Sequence, residues 1–250
     1  MINKLECPEI NSIRVIGVGG IGLSLLPSLC RYLNYHPEID DVDVFLIDGD
    51  EYEARNQSRQ AFQEMGNKAE VTRRQYETEF QNLFFNAVQE YLTEDNIGYH
   101  VREGDIIFCC VDNHSTRKLV IEECQNLENM ILISGGNDLY DGNVSIYIRV
   151  DGEDVTKSPI EVYPEIASPP EGDENPGDVD EEREGGCANE VESTPQILFA
   201  NNMAAAMMGN AFYQVVEGKH GNRGDWYFDI NTNATRQNER AMPNEAQKIN

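Results

Sequence analysis

The sequence predicts an α/β fold with a Rossmann-like, doubly wound and mostly parallel sheet, an acidic crossover loop and antiparallel edge strands. Short apolar segments alternate with helical patterns through the first 150 residues, which is typical of a parallel sheet. A glycine-rich turn follows the first apolar segment. The chain has 250 residues, which suits one α/β domain with decorations. We therefore expect residues 1–250 to form a single domain.

The elements of the first 150 residues follow from apolar periodicity. Residues 13–18 form the first predicted strand, and residues 21–33 form a helix that Pro27 should kink or start late. Residues 42–47 are apolar nearly throughout, as in a central parallel strand. The later patterns predict a helix, a strand, a short helix or turn, a buried strand, a helix, a strand, a turn and a final strand, at residues 67–80, 83–88, 95–100, 105–111, 115–125, 130–133, 134–138 and 144–150.

The composition changes after residue 150. Residues 151–190 are rich in proline, glycine and acids, which predicts an acidic flexible insertion. Residues 195–216 form an apolar helix rich in alanine and methionine, which has to be buried. Residues 226–230 read as a last strand at a sheet edge, and residues 231–250 as a polar tail.

Composition also limits the partners and the location. The net charge of −26 repels phosphate backbones, so we expect no nucleic acid to bind. There is no apolar run of about 20 residues, which predicts no membrane span. The start of the sequence lacks a signal pattern, and the cysteines form no C-x-x-C pair, so we expect a cytoplasmic protein without zinc. Cys30, Cys109 and Cys110 are expected in the core.

A glycine turn ends the first strand. Gly17, Gly19 and Gly22 form G-x-G-x-x-G, with Gly20 inside it. Such a turn lets the backbone approach a phosphate, and the helix N-terminus behind it supplies N–H groups. A tight turn without a ligand is the alternative. No lysine stands in a G-K-[ST] arrangement, which excludes a P-loop enzyme.

The second strand leads into a D-x-D-x(5)-N-x-x-R-Q pattern made by Asp48, Asp50, Asn56, Arg59 and Gln60. Asp48 is placed to accept ribose hydroxyls, with a capping aspartate as the alternative, and Asp50 supports the loop. An amide and an arginine at fixed spacing suit an enzyme that splits ATP between its α- and β-phosphates, where negative charge must be neutralised. The alternative for Arg59 is a solvated surface arginine.

Two further positions extend the predicted site. Lys68 opens the next helix and adds a cation near the triphosphate, with a surface lysine as the alternative. Asp112 and Asn113 end the buried strand 105–111, with Arg117 five residues after Asp112. Ligands collect at such strand ends in open parallel sheets. Asp112 is therefore a candidate Mg²⁺ ligand together with nucleotide phosphates, or alternatively a helix N-cap.

Together these motifs resemble the ThiF/MoeB/ubiquitin-activating-enzyme family. The matching runs are GVGGIG, LIDGDEYEARNQSRQAF, GNKAE and CCVDNHSTR, within residues 11–150. The sub-family that looks most similar is the short, stand-alone bacterial or phage ThiF-like protein, because of Gly135-Gly136-Asn137 and Ser193-Thr194-Pro195-Gln196.

The resemblance implies an adenylyltransferase with ATP and Mg²⁺ as cofactors. Such an enzyme takes the C-terminal glycine of a ubiquitin-like or sulfur-carrier protein, forms an acyl-adenylate and releases pyrophosphate. It also implies a homodimer. Carried over to this chain, phosphate is cradled by Gly19 and Gly20, ribose is held by Asp48, the triphosphate is contacted by Asn56, Arg59 and Lys68, and Mg²⁺ is held by Asp112.

The chain also departs from the family. Members often supply an arginine from an N-terminal helix of the dimer partner, but no arginine precedes Arg14 here. The paired C-x-x-C zinc motifs are absent. Cys187 lies where some members carry a cysteine that takes the activated carrier covalently, which requires a thiolate. The acids before Cys187 should raise the pKa of its thiol, so a plain loop cysteine is the alternative.

Two other functions are compatible with the sequence. A nicotinamide-dependent oxidoreductase would use the glycine turn and Asp48 equally well. It leaves Asn56, Arg59, Lys68 and Asp112 without a role. The second alternative is a catalytically silent adapter that pairs with an active partner. The presence of Arg59, Lys68 and Asp112 counts against it.

Overall fold

A computed structural model describes residues 12–178, 197–218 and 224–239. In chain order the elements are β1 (Ser12–Ile16), α1 (Gly20–Tyr35), β2 (Val42–Ile47), β3 (Glu51–Tyr52), β4 (Gly66–Asn67), α2 (Lys68–Glu77), β5 (Leu83–Val88), α3 (Ile97–His100), β6 (Ile106–Cys109), α4 (His114–Gln125), β7 (Met130–Asn137), β8 (Asp141–Val150), β9 (Glu153–Asp154), α5 (Pro159–Val162), α6 (Pro164–Ala167), α7 (Leu198–Val216), β10 (Gly224–Asp229) and β11 (Ala234–Glu239). Single 3₁₀ turns cover Ala54–Ser58 and Pro176–Asp178.

One large sheet organises the described residues. Its strand order is β11-β10-β8-β7-β6-β1-β2-β5, with β9 paired to β8. The five strands from β7 to β5 are mutually parallel, and the pairs among β7, β8, β10 and β11 are antiparallel. The predicted fold class is confirmed. The chain adds β2 and β5 on one side of β1 before it crosses to β6 and β7, so strand order reverses between β1 and β6.

Helices cover both faces of the sheet. On β6, Ile106 and Phe108 belong to one core cluster with residues of α1, α2 and α7, whereas Ile107 and Cys109 belong to the other, with residues of α3 and α4. This alternation is the pleat of a strand that is buried on both sides. Each fully buried leucine or isoleucine contributes about 1.5–3 kcal/mol to folding.

The structure corrects two predictions in the first 150 residues. Helix α1 begins at Gly20 and includes Pro27, so Pro27 does not mark a late start; the proline lies on the exposed side of the helix. The turn predicted at 134–138 is wrong, because β7 continues to Asn137 and pairs with β8 throughout. Gly135 packs closely against α7, since a Cβ there would lie 2.3 Å from Sδ of Met208.

The later part of the chain is more ordered than its composition indicates. Residues 151–178, predicted to belong to an acidic flexible insertion, contain β9, α5 and α6, and they bury Tyr163 and Ile166. The predicted polar tail 231–250 begins with a strand, β11, so β10 lies between β8 and β11 instead of at the edge. A polar strand is acceptable there because one of its edges faces solvent.

Several predicted features lie outside the described residues, namely residues 179–196 with Cys187 and the end of the tail, 240–250. Cys30, Cys109 and Cys110 are buried, as expected, and burial raises the pKa of each thiol. Within the ranges that the structure describes, no helix combines the length and apolarity needed to cross a membrane.

Candidate active site

A cleft of about 1060 Å³ opens where the parallel strands end. Its walls include the residues that follow β1, β2 and β6, together with the 3₁₀ turn Ala54–Ser58 and the start of α2. The cleft therefore lies at the carboxyl ends of the strands, beside the reversal of strand order, where open α/β sheets bind ligands.

Three glycines of the first turn are required by packing. Gly17 has a φ of +87°, and a Cβ there would lie 2.9 Å from the carbonyl carbon of Cys110. A Cβ on Gly22 would lie 2.2 Å from the carbonyl oxygen of Gly17. A Cβ on Gly20 would lie 2.2 Å from Nδ2 of the buried Asn201 on α7. These residues let α1 start tightly against β6 and α7.

Gly19 is different because it has free space. A Cβ there would find its nearest heavy atom, Nε2 of Gln60, at 3.8 Å, and both residues line the cleft. Gly19 is also the N-cap of α1 and has no side-chain capping bond. The N–H groups at the start of α1 therefore lack a side-chain cap beside an open space, which fits a phosphate group.

Asp48 is oriented by backbone donors. Its carboxylate accepts hydrogen bonds from the backbone N–H of Val18 at 2.7 Å and of Asp50 at 2.9 Å. Burial raises the pKa of Asp48 to about 6, and the nearby Lys68 ammonium opposes this rise. A carboxylate held at this edge can accept hydrogen bonds from ribose hydroxyls.

Lys68 reaches the cleft from the first residue of α2. Its side chain is only 10% exposed, and its Nζ lies 2.6 Å from Oδ2 of Asp50. The other oxygen of Asp50 accepts a hydrogen bond from the hydroxyl of Tyr91. Asp50 thus joins the lysine to an aromatic residue after β5, and the Lys68 ammonium lowers the pKa of Asp50 against the effect of burial.

The 3₁₀ turn and the two residues that follow it bring three predicted residues to the same wall. Asn56 is buried, and its Oδ1 accepts a hydrogen bond from the backbone N–H of Glu53. The Arg59 side chain makes no ion pair or hydrogen bond with the residues that the structure describes. Gln60 is only 7% exposed, and its Oε1 has no partner among those residues. Arg59 and Gln60 therefore have free polar groups at the cleft.

The loop after β6 forms the opposite wall. Asp112 is exposed to the cleft and forms no hydrogen bond within the described part of the chain. The N-cap of α4 is Asn113, whose Oδ1 accepts from the N–H of Thr116 at 2.7 Å. The capping alternative therefore applies to Asn113 and leaves the Asp112 carboxylate available.

Arg117 is a structural residue. It is buried, and its guanidinium donates to Oγ of Ser134 at 2.6 Å, to the carbonyl of Gly135 at 3.1 Å and to that of Val111 at 2.6 Å. It joins the segment after β6 to the strand β7 at the wall of the cleft. Arg14 lies outside the cleft, buried in an ion pair with Asp105 at 2.9 Å.

The structure thus brings most of the predicted site residues together. The residues that line the one cleft are Gly17, Gly19, Gly20, Asp48, Asp50, Asn56, Arg59, Gln60, Lys68, Asp112 and Asn113. Gly22 lies behind them in α1. Sequence reasoning missed Arg55 and Tyr91, which also line the cleft. Arg55 stands inside the D-x-D-x(5)-N-x-x-R-Q pattern, but nothing in the sequence marks Tyr91.

Charge in the cleft favours a metal–nucleotide complex. Among the described residues that line it, nine are carboxylates and four are lysine or arginine. A bare triphosphate would be repelled by this excess of acid. No group of three or more metal-ligating side chains occurs in the described ranges. Mg²⁺ commonly uses one or two carboxylates plus substrate phosphates, so Asp112 with a triphosphate fits that chemistry.

Fold and cleft together define a Rossmann-like α/β protein with a phosphate-type glycine turn at the reversal of strand order. Comparison with family models assigns the chain to a particular family of such proteins. The chain belongs to the ThiF family, whose model matches residues 9–248. The family expected from the sequence is therefore confirmed. No curated protein shows significant sequence similarity to the chain.

Solved structures share the fold at low identity. E. coli MccB with ATP superposes with a TM-score of 0.68 at 16% identity, covering 95% of this chain and 66% of that one. MccB in complex with N-formylated MccA, described as a microcin C7 biosynthetic enzyme, gives 0.67 at 16% identity, with coverages of 95% and 67%. PaaA gives 0.63 at 15% identity, with coverages of 95% and 66%. The chain spans about two thirds of the length of these proteins.

Proposed function

We propose that this protein is an ATP-dependent adenylyltransferase that activates the terminal carboxylate of a peptide or small carrier protein. One observation carries the proposal: Arg59, Lys68 and Asp112, from three separate chain segments, line a single cleft beside the glycine turn and Asp48. An oxidoreductase has no need for this set, whereas α,β-cleavage of a triphosphate does.

The proposed reaction forms one bond and breaks one. A carboxylate oxygen of the substrate attacks the α-phosphorus of ATP, the bond from that phosphorus to the bridging oxygen breaks, and pyrophosphate leaves with the electron pair. The products are an acyl-adenylate and pyrophosphate. No oxidation occurs, and the nucleophile is already ionised at neutral pH.

Each residue has a role in this step. Asp48 orients the ribose, and the N–H groups at the start of α1 hold phosphate oxygens. Arg59 and Lys68 neutralise charge that grows on the bridging and leaving oxygens. Asp112 would hold Mg²⁺, which screens the triphosphate and polarises its oxygens when bound. Asn56 donates its amide to the phosphates, and its side-chain oxygen holds the 3₁₀ turn.

The finer identity of the substrate is also a proposal. The motif resemblance favours the C-terminal glycine of a ubiquitin-like or sulfur-carrier protein. The solved MccB complexes contain MccA, so a peptide substrate is the alternative of the same class. We further propose a homodimer and a cytoplasmic location. A covalent role of Cys187, in which its thiol takes the activated carrier, is a separate proposal. A plain loop cysteine without that role is the alternative.

The test is nucleotide binding followed by ATP–pyrophosphate exchange. Calorimetry should show MgATP binding and no comparable NAD binding. Exchange should then appear with a ubiquitin-like protein, a sulfur-carrier protein or a short peptide with a free C-terminus. Lys68→Ala and Asp112→Ala should each lower exchange at least about a hundredfold, as for lost transition-state charge stabilisation. The matched controls are Lys118→Ala and Asp95→Ala; Lys118 is half-buried, Asp95 is exposed, and both lie outside the cleft.

Three results would overturn the proposal or its site assignment. Tighter binding of NAD than of ATP would favour the oxidoreductase. Exchange that survives both cleft variants would remove Lys68 and Asp112 from the site. Binding of MgATP without exchange under any of the three substrates would favour the silent adapter.

A further inference from the structure

Tyr91 is a cleft residue with no role in the proposed reaction. It follows β5 and is partly exposed on the cleft wall. Its ring packs closely against Gly49, where a Cβ would stand 2.7 Å from the ring carbons Cγ and Cδ1. Only glycine at position 49 allows this approach, so the D-x-D turn and the aromatic ring fit each other.

The hydroxyl of Tyr91 completes a three-residue chain. It donates to Oδ1 of Asp50, while Oδ2 of Asp50 accepts from Nζ of Lys68 at 2.6 Å. Both carboxylate oxygens are therefore engaged, and the carboxylate cannot rotate without losing a bond. The long lysine side chain has many rotamers to lose, so a fixed Asp50 reduces the cost of placing the ammonium group.

The backbone of the Tyr91–Leu92 segment is held by residues 175–177, at the end of the described part of the acidic insertion. Asn175 is buried, and its Nδ2 donates to the carbonyl of Leu92 at 2.7 Å. A Cβ on Gly177 would lie 3.0 Å from Cβ of Tyr91 and 2.9 Å from the carbonyl oxygen of Leu92. The insertion therefore packs directly behind the tyrosine.

The same part of the insertion holds the start of α4, close to Asp112. Oδ1 of Asn175 accepts from the hydroxyl of Thr116 at 2.9 Å, and a carboxylate oxygen of Asp173 accepts from the backbone N–H of His114 at 2.8 Å. Residues 173–178 thus connect the two walls of the cleft.

We propose that Tyr91 is a positioning residue of the triphosphate site, which fixes the Lys68 ammonium through Asp50 and is itself seated by Asn175 and Gly177. This inference rests on the proposed function. It adds a residue outside the sequence motifs and gives the described end of the insertion a role in the reaction. Removal of the hydroxyl frees Asp50 to rotate and leaves Lys68 without a defined position.

The first experiment needs no nucleotide. The charged groups that act on Asp50 are Lys68, Arg55 and Asp48, and all three remain in a Tyr91→Phe variant. Loss of the hydroxyl donor should raise the pKa of the Asp50 carboxyl, as measured by ¹³C NMR of labelled aspartate. The control is Tyr99→Phe, an exposed tyrosine on α3 outside the cleft. An unchanged Asp50 pKa in Tyr91→Phe would overturn the proposal.

The second experiment is a double-mutant cycle on MgATP affinity by calorimetry. Tyr91→Phe should weaken binding about three- to tenfold, as expected for one lost hydrogen bond. In an Asp50→Asn background the same change should have little further effect, because the hydroxyl acts through that carboxylate. Equal losses in both backgrounds would show that Tyr91 acts by packing alone. If the wild-type protein fails to bind MgATP, the proposed function fails, while the NMR measurement still decides the positioning role.

Discussion

Replacement of Gly20 by alanine should destabilise the protein, and shortening of Asn201 should reverse most of that effect. Gly20 begins α1, and the added Cβ would lie 2.2 Å from Nδ2 and 2.7 Å from Cγ of Asn201. Real Cβ atoms do not approach heavy atoms this closely. Asn201 is fully buried in α7, so its amide cannot turn out into solvent to avoid the new methyl group.

The magnitudes follow from packing. Forcing an extra methyl group into a filled interior costs about 1–3 kcal/mol, so Gly20→Ala should lower the free energy of unfolding by that amount. Both side-chain polar atoms of Asn201 lack partners among the described residues, and each unmet group costs about 1–3 kcal/mol. Asn201→Ala relieves this cost but leaves a small cavity, so the single change should alter stability by less than about 1 kcal/mol.

Urea unfolding of the full chain, followed by circular dichroism, measures both effects. The double variant Gly20→Ala/Asn201→Ala should recover most of the loss, which gives a coupling energy of about 1–3 kcal/mol. Gly209→Ala in α7 is the matched control, because its added Cβ meets only Cδ1 of Leu25 at 3.7 Å and helix propensity then favours alanine. Strictly additive losses in the double variant would refute the close contact between Gly20 and Asn201.

Three other predictions address the cleft and its floor. Gly19→Ala should lower the free energy of unfolding by no more than about 1 kcal/mol, as for an N-cap glycine replaced by alanine, but should abolish MgATP binding in calorimetry, because the new methyl group enters the open space at the start of α1. Unchanged affinity would show that the phosphate does not bind at Gly19. With the Asp48 pKa raised to about 6, the carboxylate becomes protonated as pH falls through that value, so ATP affinity should be about tenfold lower at pH 5 than at pH 7.5. An Asp48→Asn variant should lose this pH dependence, and persistence of the dependence would assign it to another group. Arg117→Met removes two buried hydrogen bonds and one partly buried hydrogen bond and should lower the free energy of unfolding by about 2–4 kcal/mol; a loss below about 0.5 kcal/mol, the size of an ordinary surface change, would contradict the structural role.

Much of the parallel part of the fold could be predicted because its signals are local. An apolar run such as β2 or β6 is recognisable from a few neighbouring residues, and the predicted bounds of β5 are those that the structure gives. The predictions failed where packing between distant elements determines the secondary structure. The glycines of β7 indicate a turn, yet they serve a strand that accepts Met208 closely. The residues of β11 are polar, yet pairing with β10 makes them a strand.

The candidate site divides in the same way. The D-x-D-x(5)-N-x-x-R-Q pattern and the glycine turn are short motifs with fixed spacing, so the residue types of the site were identifiable. The end of each parallel strand is also a local property, and together these ends place the site at one edge of the sheet. The cleft contains most of the residues proposed on that basis.

The sequence by itself determined the fold class, the family resemblance and the cations and carboxylates offered to a ligand. Only the tertiary structure decided which of those groups are free. In the structure Lys68 is paired with Asp50, and Asn113 is the N-cap of α4. Tyr91 contacts Asp50, from which it is separated by 41 positions in the sequence. The physical reason is that periodicity and motif spacing are encoded in neighbouring residues. Contacts between distant segments depend on how whole elements pack, which no local pattern contains.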